Sequence, residues 1–317
     1  ADQMERHGLA LAASHRLAAR GSREPLLPRL AENEAVLLAV CGQLGAAASK
    51  NDRISPAGEW LLDNFHLVEE HIALARRHLP RGYSRELPRL GPGPSAGLPR
   101  VYDIALENIA HGDGRIDGEG LARFVSAYQT GTPLKLGELW AIPIMLRLAL
   151  IENLRRVAVR ISAAREERDL ANAWADRMIL EAERDPTGLI LVIADMARSL
   201  PPMGTAFVAE FARRLQGQSA ALALPLTWIE QRLAQSHRTI EDSVFAENRQ
   251  QAADQVSLSN SIGSLRFVSA HDWRDFVEST SAVEAVLRED PAGVYGAMTF
   301  ASRDRYRHAV ERIAKQA

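Results

Sequence analysis

GELWAIPIMLRLALIENLRR, residues 137–156, is the densest apolar run in the chain, and its reading decides the fold. The uninterrupted apolar part, Leu139 to Leu146, is eight residues long before Arg147 breaks it. A membrane-spanning helix needs ~20 such residues, and an arginine near a bilayer centre costs about 3 kcal/mol on insertion scales. The run is therefore not a membrane span. Pro143 has no N–H to bond back to Leu139, so it either opens a helix or kinks one. Beyond it Leu146, Leu150, Leu154 and Val157 form one stripe, and Ile144, Leu148 and Ile151 cover another side. A helix apolar nearly all round is an interior helix. Past Asn153 it turns amphipathic, with Arg155, Arg156, Arg160, Arg165 and Arg168 among acids. Arg147 is a buried polar anchor that requires a carboxylate or carbonyls from a neighbouring helix, because an unpaired buried charge is expensive.

Outward from this helix the periodicity is helical nearly everywhere. Ala, Leu, Arg and Glu fill long segments and alternating β-branched runs are missing, which predicts an all-α array around a long central buried helix with little or no sheet. Prolines stand at expected helix starts after Ser55, Asp185 and Asp290, and Thr239 with Asp242 makes an approximate capping box. The break is LPRGYSRELPRLGPGPSAGLPR, residues 79–100, where five prolines and four glycines cannot remain in one helix. Composition thus divides the chain into an N-terminal helical lobe (1–80), a Pro/Gly-rich connection (81–97) and a larger helical body (98–317), the two lobes packing as one unit.

The overall balance narrows the function classes. Among 317 residues, 46% are hydrophobic and 25% charged, with a formal net charge of -2. A phosphate backbone calls for a basic face, so nucleic acid is not the expected partner. One cysteine, Cys41, rules out an intrachain disulfide framework, and its apolar surroundings predict a core position.

Four constellations offer chemistry. HGDGRIDGEGLARF, residues 111–124, has the glycines of a calcium or dinucleotide loop, but a calcium loop aligned on Asp113 and Gly114 puts Ile109, His111 and Gly120 where oxygen ligands belong. It reads as a turn, with Asp117 capping the next helix. In HLVEEHI, residues 66–72, His66 and His71 diverge by about 140° on a helix and cannot share a metal. SAHDWRDFVEST, residues 269–280, spaces Asp272, Asp275 and Glu278 three apart beside Trp273, as a carboxylate pair requires, though first-turn acids after an N-cap at Ser269 also suit the helix dipole. RGYSREL (Arg81, Tyr83, Arg85, Glu86) and SRDRYRHAVERI (Arg305, Tyr306) set tyrosines among charges, as on a contact surface for a glucan or another domain. No catalytic residue and no metal ligand can be named, and Asp-x-Asp is absent from the sequence.

Several long stretches together resemble the N-terminal region of bacterial cyclic β-1,2-glucan synthases: WLLDNFHLVEEHI, LPRGYSRELPRL, GLPRVYDIALENIAH, TPLKLGELWAIPIMLRLALIENLRR, QQAADQVSLSNSIGSLRFVSAHDWRDFVE and DPAGVYGAMTFASRDRYRHAVERIA. The resemblance implies a large inner-membrane hexosyltransferase that polymerises UDP-glucose on the cytoplasmic side, for periplasmic glucan biosynthesis. It further implies a divalent metal for that parent enzyme and none in this segment. On this reading the chain is an N-terminal accessory segment, non-catalytic by itself. Its partners are the downstream transferase and membrane domains and, by contact, β-1,2-glucan. A purely structural docking module is the alternative, and a carbohydrate-active enzyme using surface acids a lesser one. The family carries its growing glucan on the protein, for which Tyr83, Tyr102, Tyr128, Tyr295 and Tyr306 are the possible hosts; Ser84 stands where a second tyrosine is expected.

Overall fold

A computed structural model describes residues 2–18, 25–79 and 83–314, and they are all-α. The helices are α1 (Asp2–Ser14), α2 (Leu26–Ser49), α3 (Pro56–Asp63), α4 (Phe65–His78), α5 (Arg100–His111), α6 (Gly118–Gly131), α7 (Leu136–Arg184) and α8 (Leu189–Ser199). They continue as α9 (Thr205–Leu215), α10 (Ala223–Ala234), α11 (Ile240–Ala270), α12 (Trp273–Thr280), α13 (Ala282–Leu287), α14 (Val294–Ala297) and α15 (Phe300–Ala314). Two isolated bridges, Leu17 to Leu90 and Arg89 to Pro99, are the β-type pairings among the described residues.

Pro143 neither opens nor ends a helix: α7 runs unbroken through it for 49 residues. From Ala141 to Leu154 every side chain except the half-exposed Pro143 is buried, as the all-round apolar pattern requires. Asp117 caps α6, accepting from the Gly120 N–H at 2.9 Å, and the preceding turn places Asp113 and Gly114 at φ +47° and +81°. Thr239 and Asp242 form a reciprocal capping box, each side chain accepting from the other's N–H. Pro56 begins α3 and Pro186 a single 3-10 turn before α8, but Pro291 lies in a turn. There the Asp290 carboxylate accepts from the Ala292 and Tyr295 N–H groups, so the helix starts later, at Val294. Ser269 is not the N-cap of α12. It lies within α11, and Asp272, in an extended conformation, takes that position by accepting from the Arg274 N–H.

By contact density the chain divides into two units. One is Ala1–Leu37, Asn64–Arg155 and Ser259–Ala317, and the other is Leu38–Asp63 and Arg156–Leu258. The segments 1–80, 81–97 and 98–317 follow composition and answer a different question. In the first unit α1 packs on α6. Gly8 permits the close approach, since a Cβ there would lie 2.6 Å from the Phe124 carbonyl oxygen. The second unit is built on Trp174 and Met178 of α7, Phe207 and Phe211 of α9, and Ile229 and Leu233 of α10. Burying such side chains contributes about 2 kcal/mol each before the cost of ordering them.

Candidate functional site

The first unit has an open groove of about 640 Å³. Helix α4 supplies Glu70, Leu74 and His78 to it, and the 3-10 turn Tyr83–Arg85 supplies Tyr83. Trp140, Pro143, Ile144 and Arg147 come from α7, Val268 and Ser269 from the end of α11, and Trp273 from the start of α12. Three aromatic rings thus share one depression, two of them, Tyr83 and Trp273, among the candidates read from the sequence. Trp273 is fixed by its indole N–H, which donates to the Val268 carbonyl at 3.0 Å, and by edge contacts with Phe267, His271 and Phe276. Trp140 meets the edge of Phe300. Burial, with the nearby Glu86 charge, pushes the Tyr83 hydroxyl pKa up.

Arg147 is nine-tenths buried at this groove. The partner expected for it, a carboxylate or carbonyl, is not what it has. Its Nε–H donates to His71 Nδ1 at 3.1 Å and its Nη2 to the Ser269 hydroxyl at 3.3 Å. A ring nitrogen can accept only when the imidazole is neutral. Burial, reinforced by the Arg147 charge, holds the His71 pKa down to about 4. Desolvation likewise lowers the Arg147 pKa. His66, by contrast, is exposed, which agrees with the divergence of the two histidines.

The remaining candidates divide by what their side chains already do. Arg81 lies outside the described residues. Glu86 is exposed, and Arg85 belongs to the same 3-10 turn as Tyr83. Asp272 is committed to capping and Asp275 is exposed in the first turn of α12. Glu278 receives both Arg303 nitrogens at 2.9 Å and Arg307 Nη1 at 3.0 Å, and its pKa is depressed by these arginines against the opposing effect of burial. Arg305 and Tyr306 are exposed on α15. Of the five tyrosines, Tyr102, Tyr128 and Tyr295 are buried, and Tyr102 and Tyr295 donate to Glu152 and Glu284 at 2.6 Å each. Tyr83 and Tyr306 are therefore the ones whose hydroxyls an outside group can approach.

Sequence reasoning missed Trp140, His71 and Ser269 as parts of this site. Trp140 carries a signal, an aromatic residue inside the apolar run. His71 and Ser269 come from positions 76 and 122 residues away from Arg147, and no local pattern links them. Among the described residues no three His, Cys, Asp or Glu side chains gather as metal ligands.

The groove gathers aromatic side chains and one guanidinium on the all-α first unit. The chain is related to one region of the cyclic β-1,2-glucan synthases: over 285 residues, 90% of its length, it is 36% identical to the cyclic beta-(1,2)-glucan synthase NdvB of Rhizobium meliloti (strain 1021). The match covers 10% of that relative's length. No family model matches the sequence.

Proposed function

We propose that the chain is the N-terminal accessory region of a cyclic β-1,2-glucan synthase. It supports the glycosyltransferase that polymerises glucose from UDP-glucose and does not itself carry out transfer. The observation behind this reading is that two of the three spaced acids, Asp272 and Glu278, are already engaged. Asp272 caps a helix and Glu278 is neutralised by Arg303 and Arg307, whereas carboxylate chemistry on a glycosidic bond needs two acids free to flank the sugar. UDP-glucose and its metal then belong to other parts of the polypeptide. The region packs there against the transferase and membrane domains, on the cytoplasmic face of the inner membrane; no described helix is itself long and apolar enough to cross. A direct contact with β-1,2-glucan is the finer reading, supported by Arg305 and Tyr306, which stand exposed on α15.

The test is glucan synthesis by a full-length synthase with this region deleted and then supplied as a separate chain. The reading expects output to fall on deletion while the transferase still binds UDP-glucose, and to recover in part on addition. Undiminished synthesis without the region defeats it.

A further inference from the structure

The groove contains a charge that its own residues do not balance. Arg147 is nine-tenths buried, yet no carboxylate pairs with it among the described residues. Elsewhere in the same unit buried guanidiniums are compensated: Arg100 bonds Glu138 at 2.6 Å through both Nε and Nη2, and Arg307 bonds Glu278 and Glu284. Arg89 lacks a carboxylate too, but it donates to the Gly97 and Ser84 carbonyls. Among the described residues Arg147 has a neutral imidazole and a hydroxyl as its partners. Glu70 is exposed at the groove rim. A buried cation left this way is costly unless something completes it.

We propose that this groove receives a carboxylate from another stretch of protein, an aspartate or glutamate flanked by apolar residues. The guanidinium fork binds carboxylates in a planar, two-point manner. Nε–H is spent on His71, which leaves the hydrogens of Nη1 and the second hydrogen of Nη2 for the incoming oxygens. One positive charge is balanced by one carboxylate, whereas a diphosphate brings more negative charge than this floor supplies and a neutral glucan brings none. The walls suit the flanking residues: Trp140, Tyr83, Pro143 and Val268 offer ring and aliphatic surface, and the volume of about 640 Å³ accommodates a few side chains. The matched relative is ten times longer than the region it shares with this chain, so the rest of the synthase polypeptide is the place to seek the segment. That last step rests on the proposed function; the carboxylate preference does not.

The experiment titrates the chain with the peptide acetyl-Ser-Leu-Glu-Phe-Ser-amide, with its glutamine counterpart, and with linear β-1,2-glucan oligosaccharides, following tryptophan fluorescence. The expected result is at least tenfold tighter binding of the glutamate peptide than of the glutamine peptide. Arg147→Met abolishes that preference and Arg147→Lys retains only part of it. Cooperative unfolding is checked for both variants, and Trp140→Ala, at a half-buried wall, provides a second loss of binding if Arg147→Met fails to fold. Equal binding of the two peptides, binding of neither, or glucan binding that is the same in wild type and Arg147→Met overturns the proposal. If glutamate binding holds but no acidic segment of a full-length synthase is protected by the groove, the carboxylate site stands and the accessory reading fails.

Discussion

Lowering the pH should loosen the first unit through a single side chain, His71. In the folded state its Nδ1 accepts from Arg147, which demands a neutral ring, and its pKa is about 4. In the unfolded chain a histidine titrates near 6.5. The folded pKa is the lower one, so the unfolded state binds the extra proton. The stabilisation is complete above pH 6.5 and is lost as pH falls through 6.5 towards 4. Linkage gives about 2 kcal/mol lost by pH 5 and about 3 kcal/mol by pH 4. The assay is urea unfolding of wild type and His71→Asn at pH 8 and pH 5, read by tryptophan fluorescence. Asparagine can still accept from Arg147 through its side-chain oxygen but does not titrate. The other eight histidines are common to both proteins, so the difference between the two pH dependences isolates His71. Wild type should lose about 2 kcal/mol more than the variant over this interval. Equal losses refute the neutral-imidazole contact, whatever the absolute stabilities.

Other buried or capping groups give four more outcomes. Arg307 is fully buried between Glu278 and Glu284, with the Phe300 ring 5.0 Å from its guanidinium carbon, so Arg307→Met should cost about 3 kcal/mol in denaturant unfolding, and adding Glu284→Gln should recover part of that loss. Asp272→Ala should cost about 1 kcal/mol through the lost cap. Asp272→Asn with Asp275→Asn should leave glucan output of a full-length synthase unchanged, since asparagine also caps and neither acid acts on sugar; a large drop in synthesis contradicts this. Tyr102→Phe removes the hydroxyl that serves buried Glu152, which Arg29 also binds, and should cost about 1–2 kcal/mol by thermal or urea unfolding.

The central helix was the most legible part of the molecule, because burial on every side leaves a residue-by-residue imprint that Ile144 to Leu154 carry in full. Caps were legible where a short polar side chain answers a nearby N–H, as at Asp117 and Thr239. One was misread at Ser269: α11 runs through that residue, and the cap of α12 falls to Asp272. The groove was half legible. Tyr83 and Trp273 stood out by their charged or acidic surroundings, but their meeting at Arg147 depends on long-range packing of α4, α7 and α11. The general cost of a buried charge pointed to a carboxylate or carbonyls for Arg147, and that rule could not foresee a neutral histidine and a serine hydroxyl in their place.

A region that serves a glucan synthase without performing the transfer has no turnover of its own. The most direct measurement is incubation of the purified chain with UDP-glucose, divalent metal and β-1,2-glucan acceptor, with assay for released UDP and lengthened glucan. The expected result is no turnover above the protein-free control; UDP release matched by glucan growth would place the chemistry in this chain and contradict the account.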